Sequence, residues 1–412
     1  MKNCTAPELL VTGVGVTSAI GQGKEAFTAA LLQGRHRFRV MQRPGRQNVG
    51  PGHSTAFLGA EIEHLNLPER VSAKQLRTAS FSARAAVATL DEAWTDANLG
   101  SVEPERIGLI VGGSNFQQRE LAQTYETHWT RAQFLRPTYA LSFMDSDLCG
   151  LCTEVFPIRG FAHTVGGASA SGQVAVIQAI QALLSGQVDV CIALGALMDL
   201  SYWECQGFRS LGAMGSNRYA GQPELASRPF DRGRDGFIYG ESCGALVIER
   251  SDSHRGRTAP YAQLKAWAMR MDRNRNPDPS FEGEVEVIQK CLLGAGWSAK
   301  DVDYINPHGT GSTLGDETEL RAIGHCGLTR AHLNATKSII GHGLSAAGTV
   351  ELIAILLQMR AGQLHPTRNL DEPIDPERAW VRDQAISHVT RRALNLSMGF
   401  GGINTAVGVQ SL

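Results

Sequence analysis

Three short segments carry the residues able to do chemistry. Asn306-Pro307-His308-Gly309-Thr310-Gly311-Ser312 and Lys337-Ser338-Ile339-Ile340-Gly341-His342 each place a histidine on a glycine-rich turn after a buried-strand pattern. Such turns let backbone and imidazole come close to a ligand. Gly166-Gly167-Ala168-Ser169-Ala170-Ser171-Gly172 places a serine hydroxyl at the start of an apolar helix pattern. Two imidazoles can donate hydrogen bonds to an oxygen on which charge develops. A serine hydroxyl becomes a nucleophile only with a dedicated base and a carboxylate that orients it. The stretch around Ser169 approaches G-x-S-x-G, but its last position is Ser171 and no Ser, Asp, His order follows, which argues against a hydrolase. Taken alone, Ser169 reads as a helix N-cap; beside the two histidine motifs it reads as a site residue.

The elements that must position these groups follow from the hydrophobic pattern. Apolar runs at residues 9–16, 107–111, 188–194 and 245–248, bounded by glycine or charge, predict buried strands alternating with helices, hence α/β layering. Residues 171–184 set Val174, Ile177, Ile180, Ala182 and Leu184 among small residues, the pattern of a helix enclosed by protein. An offset of 176 carries Ser169, Gly172, Gly186 and Gln187 onto Ser345, Gly348, Gly362 and Gln363, and Val176 and Ile177 onto Leu352 and Ile353. That match predicts an internal duplication. The polar residues 250–258 separate two strand candidates and divide the chain into halves at 1–252 and 253–412. Loop-rich stretches near 40–53 and 119–146 are expected to cap the substrate entrance.

Taken with Gly399-Phe400-Gly401-Gly402-Ile403-Asn404, Val11-Thr12-Gly13-Val14-Gly15-Val16-Thr17, Arg106-Ile107-Gly108-Leu109-Ile110-Val111-Gly112-Gly113 and Pro229-Phe230-Asp231-Arg232-Gly233-Arg234-Asp235-Gly236-Phe237, the histidine motifs resemble the β-ketoacyl-acyl-carrier-protein synthases. These are the ketosynthases of fatty-acid and polyketide assembly, and the resemblance covers nearly the whole chain. It implies a thiolase-like α/β fold, a five-layer α-β-α-β-α sandwich from two duplicated halves. The family's Cys-His-His site falls on Ser169, His308 and His342, so only the nucleophile departs. By the same resemblance, Lys337 and Glu351 orient His342, and the N–H groups of Ser169 and Phe400 form an oxyanion hole. Thr310 and Ser312 match positions that hold the pantetheine arm, while Lys74, Arg77 and Arg209 match or lie near basic positions that dock an acidic acyl carrier protein. The resemblance also implies a homodimer, with no metal and no cofactor beyond the carrier's phosphopantetheine.

The missing thiol separates two tasks. A thiol near pKa 8.5 is activated by a helix start, whereas an alkyl hydroxyl is not, so Ser169 is a poor acyl acceptor. Decarboxylating a malonyl thioester needs no acceptor, only donors at the thioester oxygen. Relatives that lack the cysteine but keep both histidines are associated with malonyl decarboxylation, and serine versions occur in polyketide β-branching cassettes. The expected reaction is therefore malonyl-carrier protein to acetyl-carrier protein. Two other readings stand beside it: a condensing synthase whose cysteine was deliberately replaced by Ser169, and a noncatalytic partner resembling the chain-length factors, against which both retained histidines argue.

Composition narrows the classes further. With 412 residues and 42% hydrophobic content the chain can bury a large core. A net charge of -1 and no long basic run give no footprint for nucleic acid or an anionic membrane. No apolar signal core opens the chain and no stretch offers about 18 consecutive apolar residues, so a cytoplasmic protein is expected. Eight scattered cysteines read as reduced core residues. Cys149 and Cys152 have metal-pair spacing but lack a second pair. Gly13 and Gly15 do not complete a dinucleotide fingerprint, since Ser18 takes the last place.

Overall fold

Strand β1 (Leu9–Ser18) is buried at every position, as a strand covered on both faces must be. A computed structural model describes residues 7–50 and 53–412. The first half continues with β2 (Ile107–Gly112), β3 (Phe161–Val165), β4 (Val190–Gly195) and β5 (Ser242–Arg250). The second half supplies β6 (Ala262–Met271), β7 (Tyr304–Asn306), β8 (His332–Leu333), β9 (Arg392–Gly399) and β10 (Ile403–Gln410). Their order is β8-β7-β9-β10-β6-β1-β5-β4-β2-β3. Each half therefore repeats one arrangement, third-second-fourth-fifth-first, with the second strand parallel to both its neighbours. The halves meet where β1 pairs with β6 at Leu10 with Gln263 and Val11 with Ala262.

Helices α1 (Phe81–Asp96) and α2 (Ser146–Val155) cover the outer face of the first half, and α4 (Phe281–Ala295) and α5 (Thr313–His325) that of the second. Between the two halves of the sheet run α3 (Ser171–Leu184) and α6 (Ala347–Ala361). The α-β-α-β-α sandwich of two duplicated halves is thus the observed fold. Every residue of α6 from Ala347 to Gln358 is buried. Among the described residues, Leu344–Ala361 alone is long and apolar enough to cross a membrane by length and composition, yet 83% of it lies inside the protein as a core helix. The segment is apolar on average, but Glu351, Gln358 and Arg360 interrupt it, so it is not a run of consecutive apolar residues.

The duplication reaches single residues. Ala168 (φ 46°) and Leu344 (φ 51°), 176 apart, both take the left-handed conformation at the turn entering a central helix, at a cost of roughly 1–2 kcal/mol each. The two helices cross where side chains are absent: a Cβ on Gly172 would lie 2.9 Å from Ser345 O, and one on Gly348 2.8 Å from Gln173 N.

All seven described cysteines are free; six are buried and Cys326 is half-buried, while Cys4 lies outside the described residues. Burial pushes the Cys149 thiol up to about 11 and that of Cys152 well above its ordinary value, which makes the pair poor as thiolates.

Gly348→Ala is expected to destabilise the protein by about 1–3 kcal/mol through overpacking at the helix crossing, read as a lowered midpoint in chemical denaturation. An unchanged midpoint would mean the helices separate freely.

Candidate active site

The tips of the central helices and the turns after β7 and β9 enclose a cavity of about 400 Å³, lined by Ser169, His308, His342, Thr310, Ser312 and Phe400 among others. Ser169 lies in the single 3-10 turn Ala168–Ala170 that leads into α3. Ser171, not Ser169, closes that turn: its hydroxyl accepts from Gly167 N–H (2.9 Å) and donates to Ala168 O (2.7 Å). Ser169 is left free of a capping role, and its Oγ sits 2.9 Å from His342 Nε2.

His342 follows Gly341, whose φ of 79° turns the chain, and its N–H donates to Ile238 O at 2.7 Å. Phe237 stands edge-on to its ring at 5.2 Å. His308 stands on the turn after β7, where its own N–H and that of Gly309 donate to Glu319 at 2.6 and 2.9 Å. The two imidazoles are nearly perpendicular, with centroids 5.5 Å apart. Burial, followed by the Lys337 charge, holds both well below the usual histidine range, so both are neutral at physiological pH. Neither Nδ1 has a hydrogen-bond partner. A proton on Nδ1 of His342 would be a buried donor without an acceptor, which favours the tautomer protonated at Nε2, facing the cavity.

Lys337 and Glu351 form a buried ion pair, but Lys337 also donates to the His308 carbonyl, not to His342. The pair therefore holds the His308 turn and reaches His342 only through its charge, correcting the expectation that it orients that ring. Burial raises the Glu351 carboxyl to about 7 against the pull of Lys337. Thr310 and Ser312 reach the cavity wall, but their hydroxyls accept from Ser312 N–H and Gly315 N–H, the latter capping α5. Phe400 stands 41% exposed at the mouth.

Lys74 and Arg77 are exposed and not in the cavity wall. Arg209 is half-buried, stacked over Phe57 at 4.8 Å and donating to Asn217, a packed side chain instead of a free docking group. Among the described residues, the expected caps at 40–53 and 119–146 do not line the cavity; residues 51 and 52 of the first lie outside the described residues. Arg46 ties the first inward through a buried cluster with Glu61, Asp199 and Glu241, and Arg119 ties the second to Asp199. The rim is formed instead by residues 276–279, Leu211 to Ala213 and Phe400.

Sequence reasoning missed the carboxyl groups beneath the site. Glu319 and Asp316 lie on α5, Asp272 just beyond β6 and Glu284 on α4, all reaching the cavity. The signal was present in Glu319, an acid beside Leu320 and Ile323 on the buried stripe of α5.

Fold and site together define a ketosynthase. The chain matches the model "Beta-ketoacyl synthase, N-terminal domain" over residues 6–254 and "Beta-ketoacyl synthase, C-terminal domain" over 261–371, and it belongs to the β-ketoacyl synthase family. It is 61% identical over 413 residues to the polyketide biosynthesis malonyl-ACP decarboxylase PksF of Bacillus subtilis, covering 100% of this chain and 98% of that protein. The crystal structure of a β-ketoacyl synthase from Burkholderia phymatum superposes with a TM-score of 0.88 at 25% identity, covering 98% of this chain and all of that one. A type II polyketide ketosynthase solved in complex with its acyl-carrier protein, AntDE:AntF, superposes with a TM-score of 0.86 at 23% identity, covering 99% of this chain and all of that one.

Burial raises the Glu319 carboxyl to about 8, against its two N–H donors. Between the ordinary carboxylate value of 4.5 and about 8 the folded protein keeps a proton that the unfolded chain has released, so stability falls as pH rises through this window. Glu319→Gln is expected to flatten that decline in melting temperature; an unaltered pH slope would assign the titration elsewhere.

Proposed function

We propose that this protein decarboxylates malonyl-acyl-carrier protein to acetyl-acyl-carrier protein in polyketide β-branching. The observation that carries this reading is the Ser169 hydroxyl on His342 Nε2 with no carboxylate behind that imidazole, since His342 Nδ1 has no partner. Without the third member of a triad the hydroxyl stays protonated and accepts no acyl group. What remains is a pair of neutral donors facing one cavity, supported by the 61% identity to a protein named a malonyl-ACP decarboxylase.

The malonyl thioester binds with its carbonyl oxygen toward the imidazoles of His308 and His342. As the bond to the carboxylate breaks, its electron pair moves into the enolate, carbon dioxide leaves, and the two N–H donors bear on the oxygen where charge gathers. The N-terminal end of α3 adds partial positive charge at the same place. Protonation at carbon gives the acetyl thioester. Thr310 and Ser312 stand where the pantetheine arm enters, and the substrate brings that arm with it, so no further cofactor is required.

The partner is an acidic acyl carrier protein, with exposed Lys74 and Arg77 as its docking charges. A second copy of the chain is proposed to pair along β3, which ends the sheet half-exposed, and over the exposed Trp129, Phe134, Leu141 and Phe143. Light scattering is expected to give twice the chain mass; a monomer overturns the pairing.

Intact-mass spectrometry of malonyl-loaded carrier protein tests the reaction. Acetyl-carrier protein is expected with the wild type and no acyl group on Ser169, while His308→Ala or His342→Ala slows its formation about 10²- to 10³-fold. Untouched malonyl-carrier protein would favour a noncatalytic partner. Elongation recovered by Ser169→Cys, with no decarboxylation by the serine form, would favour a disabled condensing synthase.

A further inference from the structure

Loss of carbon dioxide leaves an enolate that must be quenched by a proton at carbon, and none of the groups above is suited to supply it. His308 and His342 are engaged at the thioester oxygen, and the Ser169 hydroxyl is a weak acid. A condensing synthase must keep acids away from this carbanion; a decarboxylase needs one.

Five carboxyl groups line the cavity: Asp278 is exposed at the rim, and of the four further in three are held by donors. Asp316 accepts from Phe230 N–H (2.6 Å) and Gly311 N–H (3.0 Å), Glu319 from His308 and Gly309, and Asp272 from Asn404 Nδ2 (2.7 Å). Glu284 is different: it is 2% exposed, lines the cavity, and its Oε2 has no hydrogen-bond partner. Among the described residues the four do not form a group able to hold a metal ion.

We infer that Glu284 is the acid that delivers the proton to the α-carbon of the enolate, directly or through one water. This rests on the decarboxylase reading. The new C–H bond forms with the proton from the Glu284 carboxyl as the enolate electron pair returns to carbon, and Glu284 is left as a carboxylate. Solvent re-protonates it by way of Asp272, half-buried at the rim.

The surroundings keep Glu284 loaded. Burial first, then the proximity of Glu319, Asp272 and Asp316, holds its carboxyl well above the usual range. Glu319 and Asp316 face it from α5 and Asp272 from beyond β6, while Glu282 and Glu286 on its own helix point to solvent. A carboxylate formed there stands among acids with no donor of its own, which drives it to take a proton back.

The test compares wild type, Glu284→Gln and Glu284→Asp in acetyl-carrier formation from malonyl-carrier protein across pH, with melting temperatures as the check on folding. Gln matches the shape of the neutral acid but has no acidic proton. The wild type is expected to lose rate at alkaline pH; Glu284→Gln is expected to lower kcat about 10²-fold with KM unchanged and to abolish that alkaline fall, with Glu284→Asp recovering part of the rate. A kcat within about threefold of wild type, a loss confined to KM, or a surviving alkaline limb overturns the role of Glu284 while leaving the decarboxylase reading intact. Failure of the wild type itself to form acetyl-carrier protein overturns both.

Discussion

The close crossing of α3 and α6 governs the rest of this molecule. The two halves of the sheet can sandwich a shared central layer only if the helices in it touch backbone to backbone, and Gly172 and Gly348 remove the side chains that would hold them apart. The same contact brings the starts of the two helices together at the cavity: Ser169 precedes one and His342 precedes the other. Glycine 166, the 176-residue counterpart of His342, shows how duplication was put to use. One copy of the elbow carries the hydroxyl, and the other carries the imidazole that faces it.

Around that contact, Lys337 is the cation that acts on both buried imidazoles. Lys337 is buried, paired with Glu351 and bonded to the His308 carbonyl, so it fixes one imidazole by position and depresses both by charge. For the proposed decarboxylation, neutral imidazoles are the appropriate donors. An imidazolium would bind the malonyl carboxylate and stabilise the ground state, whereas a neutral N–H favours the oxygen on which charge develops. The carboxyl groups below the His308 turn complete the balance. Glu319 serves structure by gathering two backbone N–H groups, and Glu284 gathers none.

Much of this was legible in the chain. The helix over Ser171–Leu184 has the bounds its small-residue pattern predicts, and the strands differ from their apolar runs by one to three residues: ladder pairing extends beyond the hydrophobic stretch at most ends, while β4 begins two residues inside its run. The repeated strand order agrees with the 176-residue offset. Other expectations failed for tertiary reasons. Polar stretches at 40–53 and 119–146 look like entrance loops, yet buried arginines pull both onto Asp199. Arg209, another candidate docking charge, is half-buried over Phe57, whereas Lys74 and Arg77 are exposed.

Residue type and spacing by themselves determined the layering, the duplication and the replacement of a thiol by a hydroxyl beside two histidines, because these depend on local pattern and on motifs a few residues long. Only the tertiary structure decided which group each side chain meets. His342 lies 173 residues from Ser169, Lys337 meets the carbonyl of His308 rather than the ring it was expected to serve, and Glu284 comes to the cavity from a helix with no motif to mark it. Desolvation sets the protonation of His308, His342 and Glu284, and desolvation is a property of the packed interior that no single segment carries.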